Sequence, residues 1–181
     1  MISRVLILAL LAPLLMPSAM AQPLPAPKKK PPTPAAKVDA PKRIGNFDDW
    51  TAATHPEAGQ LVCYAFTRAQ SSMPTLAGRG GVVLTVTQRA SGRDAVAIEA
   101  GFAFAPNATV TVQADQTGLD FYTSQRAAFA RNGHAAVTAF QAAGRAIARS
   151  PGPREAKVVD TFSLKGFSAA YAAISKACPP K

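Results

Sequence analysis

Few side chains in this sequence are of the kinds that do chemistry, and their spacing keeps most of them apart. There are two histidines, His55 and His134, and two cysteines, Cys63 and Cys178. A catalytic zinc takes three protein ligands, and no cysteine or carboxylate spacing completes such a set around either histidine. His55 precedes Pro56 in a stretch that reads as a turn, and His134 falls in the first turn of a helix. Both are expected to be solvated. A serine nucleophile would be announced by a Gly-x-Ser-x-Gly elbow. Gly166-Phe167-Ser168-Ala169-Ala170 comes nearest and lacks the second glycine. The cluster Ala77-Gly78-Arg79-Gly80-Gly81 lacks the Lys-Ser/Thr of a phosphate loop and opens no helix, so it reads as a hairpin loop. Asp48-Asp49 before Trp50 would suit an acid pair beside an aromatic sugar platform, but adjacent strand residues point to opposite faces. Trp50 is expected in the core. No catalytic, cofactor-binding or metal-ligating set is therefore assigned. The enzyme reading that remains is an envelope hydrolase whose polar residues, Asp48 or His134 among them, meet only in the fold.

Cys63 and Cys178 lie 115 positions apart, with no Cys-x-x-Cys spacing and no histidine close by in sequence. An even pair in an oxidising compartment favours one structural bridge over two free thiols. Closing so long a loop restricts the unfolded chain by about 4–5 kcal/mol in the entropy model.

The N-terminus supports that compartment. Met1-Ile2-Ser3-Arg4 leads into an apolar run from Val5 to Met16, and Ser18-Ala19-Met20-Ala21 follows. One positive charge, a short apolar core and an Ala-x-Ala ending make a secretory signal, with cleavage expected after Ala21. The run is too short for a membrane span of about 20 residues, and Pro13 and Pro17 interrupt it. No cysteine follows it to accept a lipid. The mature form, 160 residues long, is expected in the periplasm, with the outer surface or the medium as further destinations, and without a transmembrane segment.

Residues 22–43 hold seven prolines, six basic residues, one acid and no aromatic residue. Such a segment cannot bury apolar surface and reads as a disordered, solvated tether. A single domain is expected from residue 44 to residue 181. There the pattern turns to short, β-rich runs: Leu61–Thr67, Val82–Thr87, then alternation at Val96 and Ile98, at Val110 and Val112, and at Leu119 and Phe121. Gly, Pro, Asn and Asp clusters separate them. The fold class this implies is mainly β, an antiparallel sandwich or barrel-like domain. Two segments break the rhythm. His134–Ala143 is alanine-rich, with Asn132 placed as N-cap and Gly144 placed to end it, which predicts a mid-chain helix. Phe167–Ala177 predicts a C-terminal helix, because Phe167, Tyr171, Ile174 and Cys178 share one helical face. That face would carry Cys178 toward Cys63 and pin the helix to the sheet.

The formal net charge is +10, much of it in the tether. Within the domain, residues 44–125 carry four basic side chains against seven acids. The stretch from Arg126 to Lys157 reverses this, with Arg126, Arg131, Arg145, Arg149, Arg154 and Lys157 against Glu155 alone. A basic side of this kind suits phosphate or sulfate groups, and arginine grips them with paired hydrogen bonds. An ordinary solvated face is the plainer explanation of the same charges. Nucleic acid is excluded as a partner by export and by the lack of stacked aromatics near these arginines.

Taken in order, several motifs carry a family likeness. They are Phe47-Asp48-Asp49-Trp50, Leu61-Val62-Cys63-Tyr64, the run Val82-Val83-Leu84-Thr85-Val86, and the closing Asp160-Thr161-Phe162-Ser163-Leu164-Lys165-Gly166-Phe167-Ser168-Ala169-Ala170-Tyr171. Together they resemble the invasion-associated locus B family of exported bacterial proteins. Trp50 and the stretch Ser163, Leu164, Lys165, Gly166, Phe167 are the motif positions. The resemblance implies a mostly β periplasmic or surface protein with no known cofactor. The family's name implies a role in entry into host cells. Many relatives carry a second cysteine pair mid-domain, and this chain has no cysteine between Phe121 and Val137. It therefore resembles a single-disulfide subgroup. The expected function is non-enzymatic binding of an anionic envelope component or a host-cell surface; a purely structural role in the stressed envelope is the third reading.

Overall fold

The computed structural model describes residues 40–180. The expected signal peptide and nearly all of the expected tether lie outside the described residues. Among the described residues there are eleven strands: β1 (Lys42–Phe47), β2 (Trp50–Glu57), β3 (Gln60–Arg68), β4 (Ser71–Met73), β5 (Val83–Arg89), β6 (Gly92–Glu99), β7 (Thr109–Ala114), β8 (Thr117–Ser124), β9 (Ala127–Ala130), β10 (Arg145–Pro151) and β11 (Lys157–Ser163). The helices are α1 (Gly133–Ala142) and α2 (Phe167–Ala177). All strands join one antiparallel sheet in the order β1-β2-β3-β5-β6-β9-β8-β7-β10-β11-β4.

That order is open-ended, yet the sheet wraps back on itself. β3 and β4 are one run of chain interrupted only by Ala69 and Gln70, and β3 pairs with β5 while β4 pairs with β11. At the junction the Ala69 N–H donates to the Val82 carbonyl (2.9 Å) and the Gln70 N–H to the Thr161 carbonyl (2.8 Å). A barrel-like shell results, with β1 and β2 extending it past β3. Wrapping satisfies sheet edges that would otherwise offer unpaired backbone groups.

Alternation sets the two faces of the shell. Leu84 and Val86 of β5, Val96 and Ile98 of β6, Val110 and Val112 of β7 and Phe121 of β8 point inward and are buried. Helix residues Phe140, Phe167 and Ile174 join the same core, so α1 and α2 lie against the inner face. Asn132 caps α1 by accepting from the Ala135 N–H at 2.9 Å, as its position predicts. Cys178 ends α2 and is bridged to Cys63 of β3, with Cα atoms 5.9 Å apart.

Three expectations need correction. The glycine cluster around Gly80 is not a hairpin loop: it belongs to the connection from β4 to β5, strands that do not pair. His55 is in strand β2 rather than in a turn. Pro56 is accommodated there because β1 pairs only as far as Thr54, leaving no partner for the missing N–H. The sheet also begins at Lys42, so Lys42 and Arg43 belong to β1, ahead of the expected boundary at residue 44.

Candidate functional site

Acid–base side chains converge around Asp94 on β6, and a second, more exposed group joins Glu57 to His55 (3.9 Å) and Arg89 (3.0 Å). The Asp94 backbone has φ 55°, a left-handed conformation that short polar residues tolerate. One carboxylate oxygen accepts from the Gln88 amide (2.7 Å) and from the Tyr171 hydroxyl (2.8 Å); the other faces His134 Nδ1 at 3.3 Å. The Asp94 N–H donates back to the Gln88 side-chain oxygen at 3.0 Å. Burial would raise the Asp94 carboxyl pKa, but hydrogen bonds from Gln88, Tyr171 and His134, with the nearby His134 charge, hold it below the ordinary aspartate range. Burial and the Asp94 carboxylate push the Tyr171 hydroxyl up.

A carboxylate orienting an imidazole is part of many acid–base devices. Here the imidazole is 83% exposed, and among the described residues no serine or cysteine side chain hydrogen-bonds it. What the arrangement does achieve is to tie β5, β6, α1 and α2 through one carboxylate. α1 starts so close to this point that a Cβ on Gly133 would run into the Asp94 carbonyl. Asp48, the other expected acid, lies in the tight turn between β1 and β2 with its carboxylate 3.3 Å from Lys165 Nζ. Among the described residues no three His, Cys, Asp or Glu side chains gather as a metal site requires.

The six expected basic contacts separate into two places. Arg126 follows β8, where it donates to the Gly101 carbonyl (2.7 Å) and lies 3.5 Å from Glu99. Arg131 follows β9 and rides over the Tyr122 ring at 5.8 Å. Arg145 and Arg149 instead flank Ile147 on the outer face of β10. Lys157 stands opposite Pro151 on β11, and Arg154 is in the short turn between those strands. None of these last four makes an ion pair among the described residues. The same outer face carries Val159, opposite Arg149, and the exposed Met73, opposite Val159. A depression of about 430 Å³ opens at its end between Gln113, Asp115, Gln116, Arg145 and Ile147.

The model of the family described as "Invasion associated locus B (IalB) protein" matches residues 50–175. This chain belongs to the invasion-associated locus B family. Its fold is similar to the crystal structure of invasion associated protein B from Bartonella henselae, with a TM-score of 0.55 at 16% identity, covering 74% of this chain and 95% of that one. A search of curated protein sequences finds no match. No described helix is long and apolar enough to cross a membrane.

In this invasion-associated locus B protein Trp50 and the stretch Ser163-Leu164-Lys165-Gly166-Phe167 form a structural clamp. The Trp50 indole is fully buried and donates to the Ser163 carbonyl at 3.0 Å. Its ring packs on Phe167 with centroids 4.8 Å apart. Ser163 Oγ accepts from the Lys165 N–H at 3.2 Å, and Leu164 is buried. Gly166 takes φ 86° directly beneath the Phe47 carbonyl and turns the chain into α2. Sequence reasoning missed a second buried element, Arg79. Its guanidinium makes a two-pronged pair with Asp160 (2.9 and 2.7 Å), donates to the Ala100 carbonyl (2.8 Å) and faces the Phe102 ring at 5.0 Å. A signal was present: Asp160 lies between Val158 and Phe162 in the inward alternation of β11, where a carboxylate requires a partner.

Proposed function

We propose that this invasion-associated locus B protein is exported, loses residues 1–21, and acts without catalysis by binding an anionic component of the envelope or of a host-cell surface. The observation that carries the reading is the outer face of β10 and β11. There Arg145, Arg149 and Lys157 stand unpaired beside Ile147, Val159 and exposed Met73. Cationic groups interleaved with apolar side chains suit a phosphate-bearing lipid surface, where charge attracts and apolar contact holds. The expected tether adds further positive charge ahead of β1, and its contribution should fade with salt.

The test is flotation of the mature protein with vesicles of phosphatidylglycerol and phosphatidylcholine, against phosphatidylcholine alone, with lipopolysaccharide-coated beads in parallel. Retention by the anionic surfaces, lost in R145E/R149E/K157E, supports the proposal. Retention unchanged in that variant overturns it. So does retention that needs residues 22–43 and vanishes at moderate salt.

A further inference from the structure

The opposite side of the shell carries a pattern that the basic face does not explain. Registers place Phe66 of β3, Thr85 of β5, Ala97 of β6, Phe129 of β9 and Tyr122 of β8 in one row across five neighbouring strands. The parallel row runs Tyr64, Thr87, Ala95. All of these alternate with buried residues and so point outward, and none is more than partly covered. Tyr64 and Phe66 lie with ring centroids 6.0 Å apart, and Tyr122 and Phe129 with centroids 5.5 Å apart; each pair is within 27° of parallel. Two aromatic walls, three strand spacings or roughly 14 Å apart, thus border a floor of threonine and alanine.

We infer that this trough is a binding site for a neutral glycan chain. The walls alone would suit any flat ligand, so the charges and hydroxyls decide. No charged residue stands among these eight, and the charges at the margins, Arg131 and Asp120 beyond Ala95 included, are of both signs. Arg68 and Glu99 flank Val83 in the next row, with Glu99 taken up by Arg126, while Arg131 at the other end covers Tyr122. An anionic polymer finds no cation over the floor, and an acyl chain finds no apolar floor. Thr85 and Thr87 put hydroxyls in the middle and Tyr64 and Tyr122 put them at the walls. A sugar ring has an apolar C–H face for the aromatic rings and a hydroxyl rim for such partners. Tyr122 is 45% exposed and Tyr64, Phe66 and Phe129 are partly exposed, and four such aromatics in two pairs on one outer face mark an interaction surface.

This inference does not rest on the basic face, and one experiment separates them. Mature protein is run by affinity electrophoresis in gels holding hydroxyethylcellulose, galactomannan or dextran, alongside Y122A, Y64A, T85R and R145E/R149E/K157E. Retardation by at least one of these polymers is expected, weakened roughly tenfold in the alanine variants. It should be abolished in T85R, which fills the floor, and kept in the arginine-face variant. Near-ultraviolet dichroism of T85R checks that its core is native, and Tyr122, already 45% exposed, leaves no cavity when truncated. Absence of retardation in all three gels overturns the inference, as does retardation indifferent to Y122A and T85R together. Sedimentation showing a dimer that T85R converts to monomer would assign the face to a second copy of the chain and overturn it equally.

Discussion

The indole N–H of Trp50 donates to the carbonyl of Ser163, a residue 113 positions later in the chain, in a site closed to solvent. The bond joins the start of β2 to the end of β11, where the chain turns into α2. Trp50→Phe would leave that carbonyl unpaired and open space beside Phe167. We expect a loss of about 2–4 kcal/mol in unfolding free energy. A urea titration should show a lower midpoint with unchanged slope. A midpoint within error of the parent would mean the indole bond does not hold the clamp.

Gly166 and Gly78 both have positive φ, 86° and 72°, but only Gly166 has neighbours in the way. Gly78→Ala therefore reports the backbone preference alone, about 1–2 kcal/mol. Gly166→Ala adds the collision with the Phe47 carbonyl and should cost at least twice as much. Equal effects in thermal melts of the two variants would show that the β1–β2 turn yields without penalty.

Arg79 and Asp160 are nearly sealed, with side chains 6% and 3% exposed. Removing one partner leaves an uncompensated buried charge, so Asp160→Ala should destabilise by about 3–5 kcal/mol. Replacing both, as R79M/D160L, removes the desolvation cost together with the attraction and should destabilise less than Asp160→Ala. Denaturant midpoints of the parent and the two variants order these outcomes. A double variant worse than the single one would mean that the bond from Arg79 to the Ala100 carbonyl matters more than the pair.

These features differ in how far the sequence betrays them. β3, β5, β6, β7 and β8 are visible because β-branched residues alternate there with polar ones, and α2 because Phe167, Tyr171 and Ile174 repeat at helical spacing. β9 is Ala-Ala-Phe-Ala, a composition with no strand preference of its own; its state is imposed by β6 and β8 on either side. β10 is similarly disguised by its alanines and arginines. The aromatic trough was illegible for another reason. Tyr64, Phe66, Tyr122 and Phe129 look like core residues in a strand, and only register shows that they face outward on neighbouring strands. The aromatic expected to matter for core, Trp50, does lie there.

The bridge from Cys63 to Cys178 fastens the end of α2 to β3 across a separation of 115 residues. Reduction, or the variant C63A/C178A, should lower stability by about 2–5 kcal/mol. The loss should be felt first at the end of α2, where Arg93 donates to the Cys178 carbonyl. Hydrogen exchange of the reduced protein should rise in residues 172–178 before it rises in β5 or β6. Uniform acceleration would place the bridge's effect in the unfolded chain alone.

Asp94 makes stability depend on acid in a direction fixed by its environment. Hydrogen bonds and the nearby His134 charge more than offset burial, so its carboxyl is more acidic folded than unfolded. The folded state then binds fewer protons, and the contribution is full above the ordinary unfolded value of about 3.9. It disappears as pH falls through the lower folded value. Asp94→Asn should lower stability at neutral pH and flatten the acid limb of the stability curve below about pH 5. Tyr171→Phe removes one of the stabilising hydrogen bonds but keeps the carboxylate, so the acid limb should persist with its midpoint moved upward. Urea midpoints taken across pH 2–7 distinguish the two. An acid limb unchanged in Asp94→Asn would show that a different group governs acid unfolding.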